Sequence, residues 1–306
     1  MAVVGSISAD LTAFGSPLPR PGETVIADAF SLTLGGKGAN QALAAVRAGA
    51  PTVMIGAVGD DLFRELTLGS LSAAGVDTTA VAVLEGSTGI AHIRVDARSG
   101  QNDIAIVPGA NGQVTSQIAT DRLRSLAGQV AVVLLQLEIP VETVVEVARV
   151  AEELGCRVIL DPAPARVLPD EIWRSVDVVT PNETEAEVLT GIRAVDHTSA
   201  VAAGRWFVDR GVGAAIITMA ERGAVVVRAD GEARYAAFSV EPVDTTAAGD
   251  AFAGNLGASL ARGTGWDEAM RRALAAGALA VTVRGASPSL PTSEQVDRLL
   301  AEQPGE

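Results

Sequence analysis

Short apolar runs alternate with longer, Ala-rich amphipathic stretches along most of the chain. The runs at 3–7, 53–57, 130–136, 158–160, 176–179 and 214–218 are dominated by Val, Ile, Leu and Ala. Runs of this kind predict strands buried on both faces. The stretches between them predict helices over 40–48, near 62–74, and over 141–154, 183–189, 200–210, 247–262 and 266–282. Gly49 and Gly155 stop two of these helices. Repeated strand–helix units imply an α/β fold, with a central parallel-rich sheet flanked by helices.

Two stretches break the rhythm. Residues 11–34 carry Pro17, Pro19 and Pro21 ahead of an alternating run. Residues 89–107 set His92, Arg94 and Asp96 against Ile93 and Val95, with Gly100 at a turn. Such alternation predicts strands with one wet face. Two insertions of this type can build a small β-sheet beside the main one, over a ligand or against a partner. Residues 1–306 then read as one α/β domain carrying that inserted sheet.

Composition supports a large buried core. Of 306 residues, 48% are hydrophobic and 20% charged. Only ten are aromatic (Trp 3, Tyr 1, Phe 6), so small aliphatic side chains must pack the layers. The formal net charge of −14 argues against a nucleic-acid-binding face. It also repels ATP at long range, so a nucleotide site needs local backbone amides, a Lys or a metal. Cys156 is the one cysteine. It excludes an intrachain disulfide, fits a reducing compartment and reads as a small apolar filler. With His92 and His197 far apart, ligands for a soft metal are few. No signal peptide is visible at the N-terminus, and runs such as 131–135 are too short to cross a bilayer. A soluble cytoplasmic protein is the expectation.

Three segments carry chemistry. Gly35-Gly36-Lys37-Gly38-Ala39-Asn40-Gln41 lets a backbone approach a ligand closely and leads into a helix. Lys37 and Asn40 offer donors to hydroxyls or phosphate. The segment lacks the spacing of a Walker loop and of a dinucleotide fingerprint, and no clear strand runs directly into it. The second segment is Asp244-Thr245-Thr246-Ala247-Ala248-Gly249-Asp250, running into an apolar helix. The amides of Ala247, Ala248 and Gly249 at a helix N-terminus make an anion hole. Asp250 in the first turn can take a proton from a hydroxyl attacking that anion. The third is Thr180-Pro181-Asn182-Glu183-Thr184-Glu185, directly after a strand. Asn182 and Glu185 share a helix face there, and an acid near phosphates suits a Mg²⁺ shell. Each segment also has a plainer reading: a tight turn, a charge stabilising a helix end, or a helix cap. Asp10, Glu138 and Asp161 follow predicted strands as well. With Asp250 they suggest a polyhydroxylated substrate.

Together these segments resemble the PfkB carbohydrate-kinase family, in its ribokinase branch, over nearly the whole chain. The residues that carry the resemblance include Gly5-Ser6-Ile7-Ser8-Ala9-Asp10, the 35–41 loop, Gln136-Leu137-Glu138 and Asp161-Pro162-Ala163-Pro164-Ala165-Arg166. Segments 180–185 and 244–254 and Gly285-Ala286-Ser287-Pro288-Ser289 complete the set. The resemblance implies a parallel α/β domain with a small β lid, commonly a dimer clasped through the lids. It implies transfer of the ATP γ-phosphate to the O5 hydroxyl of D-ribose, with Asp250 as base. Asp10, Gly36, Lys37, Asn40 and Glu138 would hold the sugar. Asn182 and Glu185 would serve the phosphates and Mg²⁺. Thr218, Ala220 and Gly223 match the nucleotide loop. Asp244, Thr246, Ala280, Gly285 and Ser289 match a monovalent-cation site, usually for K⁺. Two positions depart from the pattern: Ser8 stands where bacterial members often carry Asn, and Ala220 where Gly is usual. Kinases for deoxyribose, another pentose, a ketose or a nucleoside are the neighbouring readings, and a non-catalytic sugar-binding regulator is the distant one.

Overall fold

The computed structural model describes residues 1–304. The chain begins β1 (Ala2–Val4), β2 (Ser8–Gly15), β3 (Ala29–Gly35), α1 (Lys37–Arg47), β4 (Val53–Gly59), α2 (Leu62–Ala73) and β5 (Val81–Leu84). It continues β6 (Gly89–Asp96), β7 (Asn102–Val107), α3 (Ser116–Ser125), β8 (Val132–Leu135), α4 (Val141–Glu153), β9 (Arg157–Leu160), β10 (Val178–Val179), α5 (Glu183–Thr190) and α6 (His197–Val208). It ends β11 (Ala214–Thr218), β12 (Ala224–Arg228), β13 (Gly231–Tyr235), α7 (Ala248–Ala261), α8 (Trp266–Ala280) and α9 (Ser293–Glu302). Among the described residues, no helix is long and apolar enough to cross a membrane.

Nine strands form the main sheet in the order β13-β12-β11-β10-β9-β8-β1-β4-β5. Pairings from β11 across to β5 are parallel, while β12 and β13 run antiparallel. Side-chain alternation divides the core between the two faces. Val3, Met54, Leu134 and Ile159 pack with residues of α1, α7, α8 and α9. Ala2, Val4, Ile55 and Leu135 pack on the other face with residues of α3, α4 and α6. The chain leaves β1 toward β4 and β5, then returns to build the other half from β8. That reversal makes the gap between β1 and β8 a topological switch point, where open α/β sheets form a crevice beyond the strand C-termini.

Strands from the two rhythm-breaking stretches form a separate four-stranded sheet, ordered β3-β2-β6-β7. The register puts Asp10, Thr33, Ala91 and Ile106 on one face. Ile104 and Ile106 are 54% and 60% exposed there, so this face carries uncovered apolar surface.

Several boundaries differ from the pattern reading. The strand expected at 3–7 ends at Val4, and residues 5–7 turn into β2. Contrary to the reading of the glycine loop, a strand does run straight into it: β3 ends at Gly35 and α1 starts at Lys37. β5, the β12–β13 hairpin, α3 and α9 were not anticipated. The hairpin is half wet, with Glu232 and Arg234 breaking the apolar run, and its one signal was Asp230-Gly231 at the turn.

Candidate active site

The site is built where α1 presses on the turn after β1. Gly36 has φ +87°, and a Cβ there would lie 2.9 Å from Ser8 N and 3.0 Å from Ser6 O. A Cβ on Gly38 would lie 2.7 Å from Gly5 C and from Ser6 N and O. Both contacts are with backbone, so only glycine permits this approach. The Ala39 amide donates to Ser6 O at 2.9 Å, locking the helix start onto the turn. Glu138, just beyond β8, lies at the same helix end. Its Oε2 accepts from the Lys37 amide at 2.9 Å and from Ser6 Oγ at 2.5 Å. A carboxylate there satisfies a helix-end amide and matches the positive end of the helix dipole.

The next turn of α1 faces α7. A Cβ on Gly254 would lie 2.5 Å from Ala44 Cβ and 2.8 Å from Gln41 O, so that glycine sets how closely the two helices cross. Asp250, 4% exposed, lies at this crossing. Its Oδ2 accepts from Asn40 Nδ2 at 3.1 Å and its Oδ1 from Gln41 Nε2 at 3.0 Å. Gln41 Nε2 also donates to Asp161 Oδ2 at 2.7 Å, and Gln136 Nε2 donates to Gln41 Oε1 at 2.5 Å. The Lys37 ammonium sits 3.4 Å from Asp161 Oδ2 and 3.6 Å from Asp250 Oδ1. One lysine thus lies among several acids. Burial works against its charge, but Asp161, Asp250, Glu138 and Glu185 outweigh that and raise its pKa.

The acids feel the same crowding. Burial, then the charges of Glu138 and Asp250, push Asp10 up to about 7. Asp10 approaches from β2 of the small sheet, and its carboxylate fills the space that a Cβ on Gly35 would take. Burial also pushes Asp161 up to about 7, opposed by Lys37 and reinforced by Glu185 and Asp250. Glu185 is raised chiefly by burial.

The 244–250 segment bends sharply ahead of α7. Ala247 holds a left-handed conformation at φ 60°, an uncommon one for a residue with a Cβ. No side chain caps α7, the Ala248 amide donates to Thr245 O at 3.4 Å, and nothing lies within 4 Å of the Cβ position at Gly249. Asp244 Oδ1 accepts from Thr246 N at 2.9 Å and from Thr246 Oγ1 at 2.6 Å, while Oδ2 accepts from Gly285 N at 2.8 Å. These bonds hold the carboxyl below its usual range despite partial burial. Segments 244–246 and 285 are therefore joined. Ala280 lies at the end of α8 and its carbonyl accepts from the Val283 amide at 3.3 Å. Ser289 Oγ bonds within its own turn, to Ala286 O at 2.8 Å, and not to Asp244. Asp244 and Thr246 present oxygens, the ligand type that suits a hard cation, whereas Ser289 is tied into its own turn.

Asn182 and Glu185 form a reciprocal capping box at the start of α5: Glu185 N donates to Asn182 Oδ1 at 2.9 Å and Asn182 N to Glu185 Oε2 at 2.8 Å. This is the plainer reading of the pair, and it is present. It leaves Asn182 Nδ2 and Glu185 Oε1 outside the cap. The Thr218 amide donates to Pro181 O at 3.0 Å, which brings the 218–223 turn beside Asn182. Ala220 sits at φ 46°, the left-handed region that the usual Gly would take without strain. A Cβ on Gly223 would lie 2.0 Å from Tyr235 O. Among the described residues, no group of three or more His, Cys, Asp or Glu is arranged to hold a metal by itself. Mg²⁺ arriving on nucleotide phosphates needs only one or two protein carboxylates, so the single acid Glu185 fits that manner of binding.

Asp10, Lys37, Asn40, Glu138, Asp161 and Asp250 are thus brought together, with Gly36 as the hinge of the loop. Sequence reasoning gave no role to Gln41, Gln136 and Asn111. Asn111 brackets the turn after β1: its Oδ1 accepts from Ile7 N and its Nδ2 donates to Ile7 O, each at 2.9 Å, and to Ser8 Oγ at 3.2 Å. Gln41 was readable in principle. With α1 starting at 37 rather than 40, residues 37, 40 and 41 share one helix face.

The chain matches the pfkB family carbohydrate kinase signature over residues 1–293. It is 38% identical over 301 residues to a ribokinase of Haemophilus influenzae, covering 98% of each chain. It is also 38% identical over 303 residues to a deoxyribokinase of Salmonella typhi, again covering 98% of each. The structure of Arabidopsis thaliana ribokinase complexed with ribose and ATP superposes with a TM-score of 0.89 at 32% identity, covering 98% of this chain and 97% of that one. The chain therefore belongs to the pfkB family of carbohydrate kinases.

Proposed function

We propose that this chain transfers the γ-phosphoryl group of ATP to the O5 hydroxyl of D-ribose. The observation that carries the reading is the position of Asp250. It is buried, sits in the first turn of α7 at a helix end that no side chain caps, and is held by Asn40 and Gln41 against a cluster of acids suited to sugar hydroxyls. The ribokinase relative and the plant enzyme complexed with ribose and ATP support the same acceptor and donor.

Phosphoryl transfer demands alignment and charge neutralisation more than covalent chemistry. Asp10, Gly36, Lys37, Asn40 and Glu138 orient the sugar. Asp250 accepts the proton of the attacking hydroxyl. The amides of Ala247, Ala248 and Gly249 receive the charge that develops on the transferring group. Asn182 lies on the phosphate side, and the turn bearing Thr218, Ala220 and Gly223 faces the nucleotide. Mg²⁺, held through Glu185, supplies charge neutralisation on the phosphates. A monovalent cation, K⁺ in the family pattern, fits at Asp244, Thr246, Ala280, Gly285 and Ser289, where the joined segments 244–246 and 285 order the turn into α7. The small sheet acts as a lid that excludes water, and its exposed Ile104 and Ile106 suit a homodimer clasped through the lids.

The deoxyribokinase relative favours deoxyribose as the second reading. A coupled ADP-release screen over D-ribose, 2-deoxy-D-ribose, other pentoses, ketoses and nucleosides, with and without K⁺, tests both. ADP release that is fastest with D-ribose supports the first reading. No release with any sugar would leave a non-catalytic binding protein.

A further inference from the structure

Asp161 and Asp250 share their donors. Lys37 Nζ lies 3.4 Å from Asp161 Oδ2 and 3.6 Å from Asp250 Oδ1, and Gln41 Nε2 lies 2.7 Å and 3.0 Å from the same two oxygens. Both carboxylates are 4% exposed. Gln41 cannot turn away, because its Oε1 already accepts from Gln136. In each case the Asp161 contact is the shorter.

A carboxylate that alone faces a buried ammonium is a poor base, because the ion pair favours its charged form. The shared arrangement avoids this. We propose that Asp161 is a positioning residue for phosphoryl transfer: it holds Lys37 as the nearer counter-ion, so that the Asp250 carboxylate stays free enough to take the sugar proton. The inference rests on Asp250 being the base. Its second consequence concerns the state after proton transfer. Asp250 is then neutral, and a part-buried ammonium left without a partner is unfavourable. Above about pH 7 Asp161 is charged beside Lys37, so the lysine need not move or find a new partner during the step. Gln41 serves both states, because its amide bonds to Asp250 whether that group is charged or neutral.

Asp161→Asn tests this. Asn keeps an oxygen acceptor for Gln41 and removes only the charge. Lys37 then pairs with Asp250 alone, which leaves that carboxylate less ready to take the sugar proton. The expected result is a fall of kcat by about 10-fold, while the sugar Kd from calorimetry stays within about threefold. In a Lys37→Met background there is no ammonium to hold, so Asp161→Asn should cost less than about twofold in kcat. Asp161→Ala, read the same way, replaces the Asn variant if that one does not fold. Unchanged kcat in a folded Asp161→Asn protein would overturn the inference, as would the same loss with and without Lys37. Asp250→Asn run beside it separates the two levels. Full activity there removes the base assignment itself, whereas an inactive Asp250→Asn beside an unaffected Asp161→Asn removes only the role of Asp161.

Discussion

Asn40 and Asp250 lie 210 positions apart in the chain, yet Asn40 Nδ2 donates to Asp250 Oδ2 at 3.1 Å. The contact exists because Gly254 lets α7 close on Ala44 of α1. It ties the glycine loop that carries Lys37 to the helix that carries the proposed base.

Replacement of Asp250 by Asn keeps an acceptor for Asn40 and removes the proton acceptor. We expect turnover to fall by at least about 100-fold, the low end for loss of a general base. Sugar binding should largely survive. Steady-state ADP release together with calorimetry of sugar binding measures both, and near-normal turnover would end the base assignment.

Glu185 has two jobs in this reading, and one substitution separates them. Gln at the third helical position can complete a capping box as Glu does. Glu185→Gln should therefore leave Tm within about 1 °C, a shift corresponding to about 0.5 kcal/mol at this chain length. The Mg²⁺ concentration needed for half-maximal rate should rise. A large loss of Tm with unchanged Mg²⁺ dependence would make the residue a cap alone.

The raised Asp10 carboxyl gives the unliganded protein a pH dependence of known sign. Its folded pKa is about 7 against 3.8 for the free group. Between those values the folded state holds a proton that the unfolded state has lost, so stability falls as pH rises through that window. Asp10→Asn should flatten this slope and raise Tm at pH 8. Asp161 is raised in the same sense, so part of the slope remains. Thermal unfolding from pH 5 to 8 checks it, and an unchanged slope in Asp10→Asn would show that its carboxyl is not buried as charge.

Two glycine-to-alanine changes should have opposite signs. At Gly38 the added Cβ meets backbone at 2.7 Å, and overpacking of this kind costs about 1–3 kcal/mol. At Gly69, inside α2, nothing lies within 4 Å, and the change should stabilise by about 0.5–1 kcal/mol through helix propensity. Chemical denaturation of both variants gives the comparison. Destabilisation by Gly69→Ala would contradict the open space around that position.

The buried parallel strands were legible because they are apolar on both faces. β8 and β9 stand out as Val, Ile and Leu runs between polar turns. Lys37, Asn40 and Asp250 were legible because small residues beside helix starts flag close backbone approach. The partnership of Asp161 with Gln41 was not, because it spans 120 positions and depends on how α1 seats against the sheet. Asn182 and Glu185 were legible only as a pair, since a cap and a ligand shell call for the same residue types. The β12–β13 hairpin escaped because its outer strand alternates like an exposed loop.

The small sheet has no linkers. β2 begins four residues after β1 ends, and β3 passes into α1 across Gly36 alone. Ser8, Asp10, Lys37 and Asn40 therefore travel with it as one stretch of chain, while 182–223 and 244–250 come from elsewhere. On the proposed assignment, all the sugar contacts but Glu138 fall in this one stretch, whereas the donor contacts are scattered. Substitutions within residues 8–41 therefore alter the acceptor side while leaving the segments at 182–223 and 244–250 untouched.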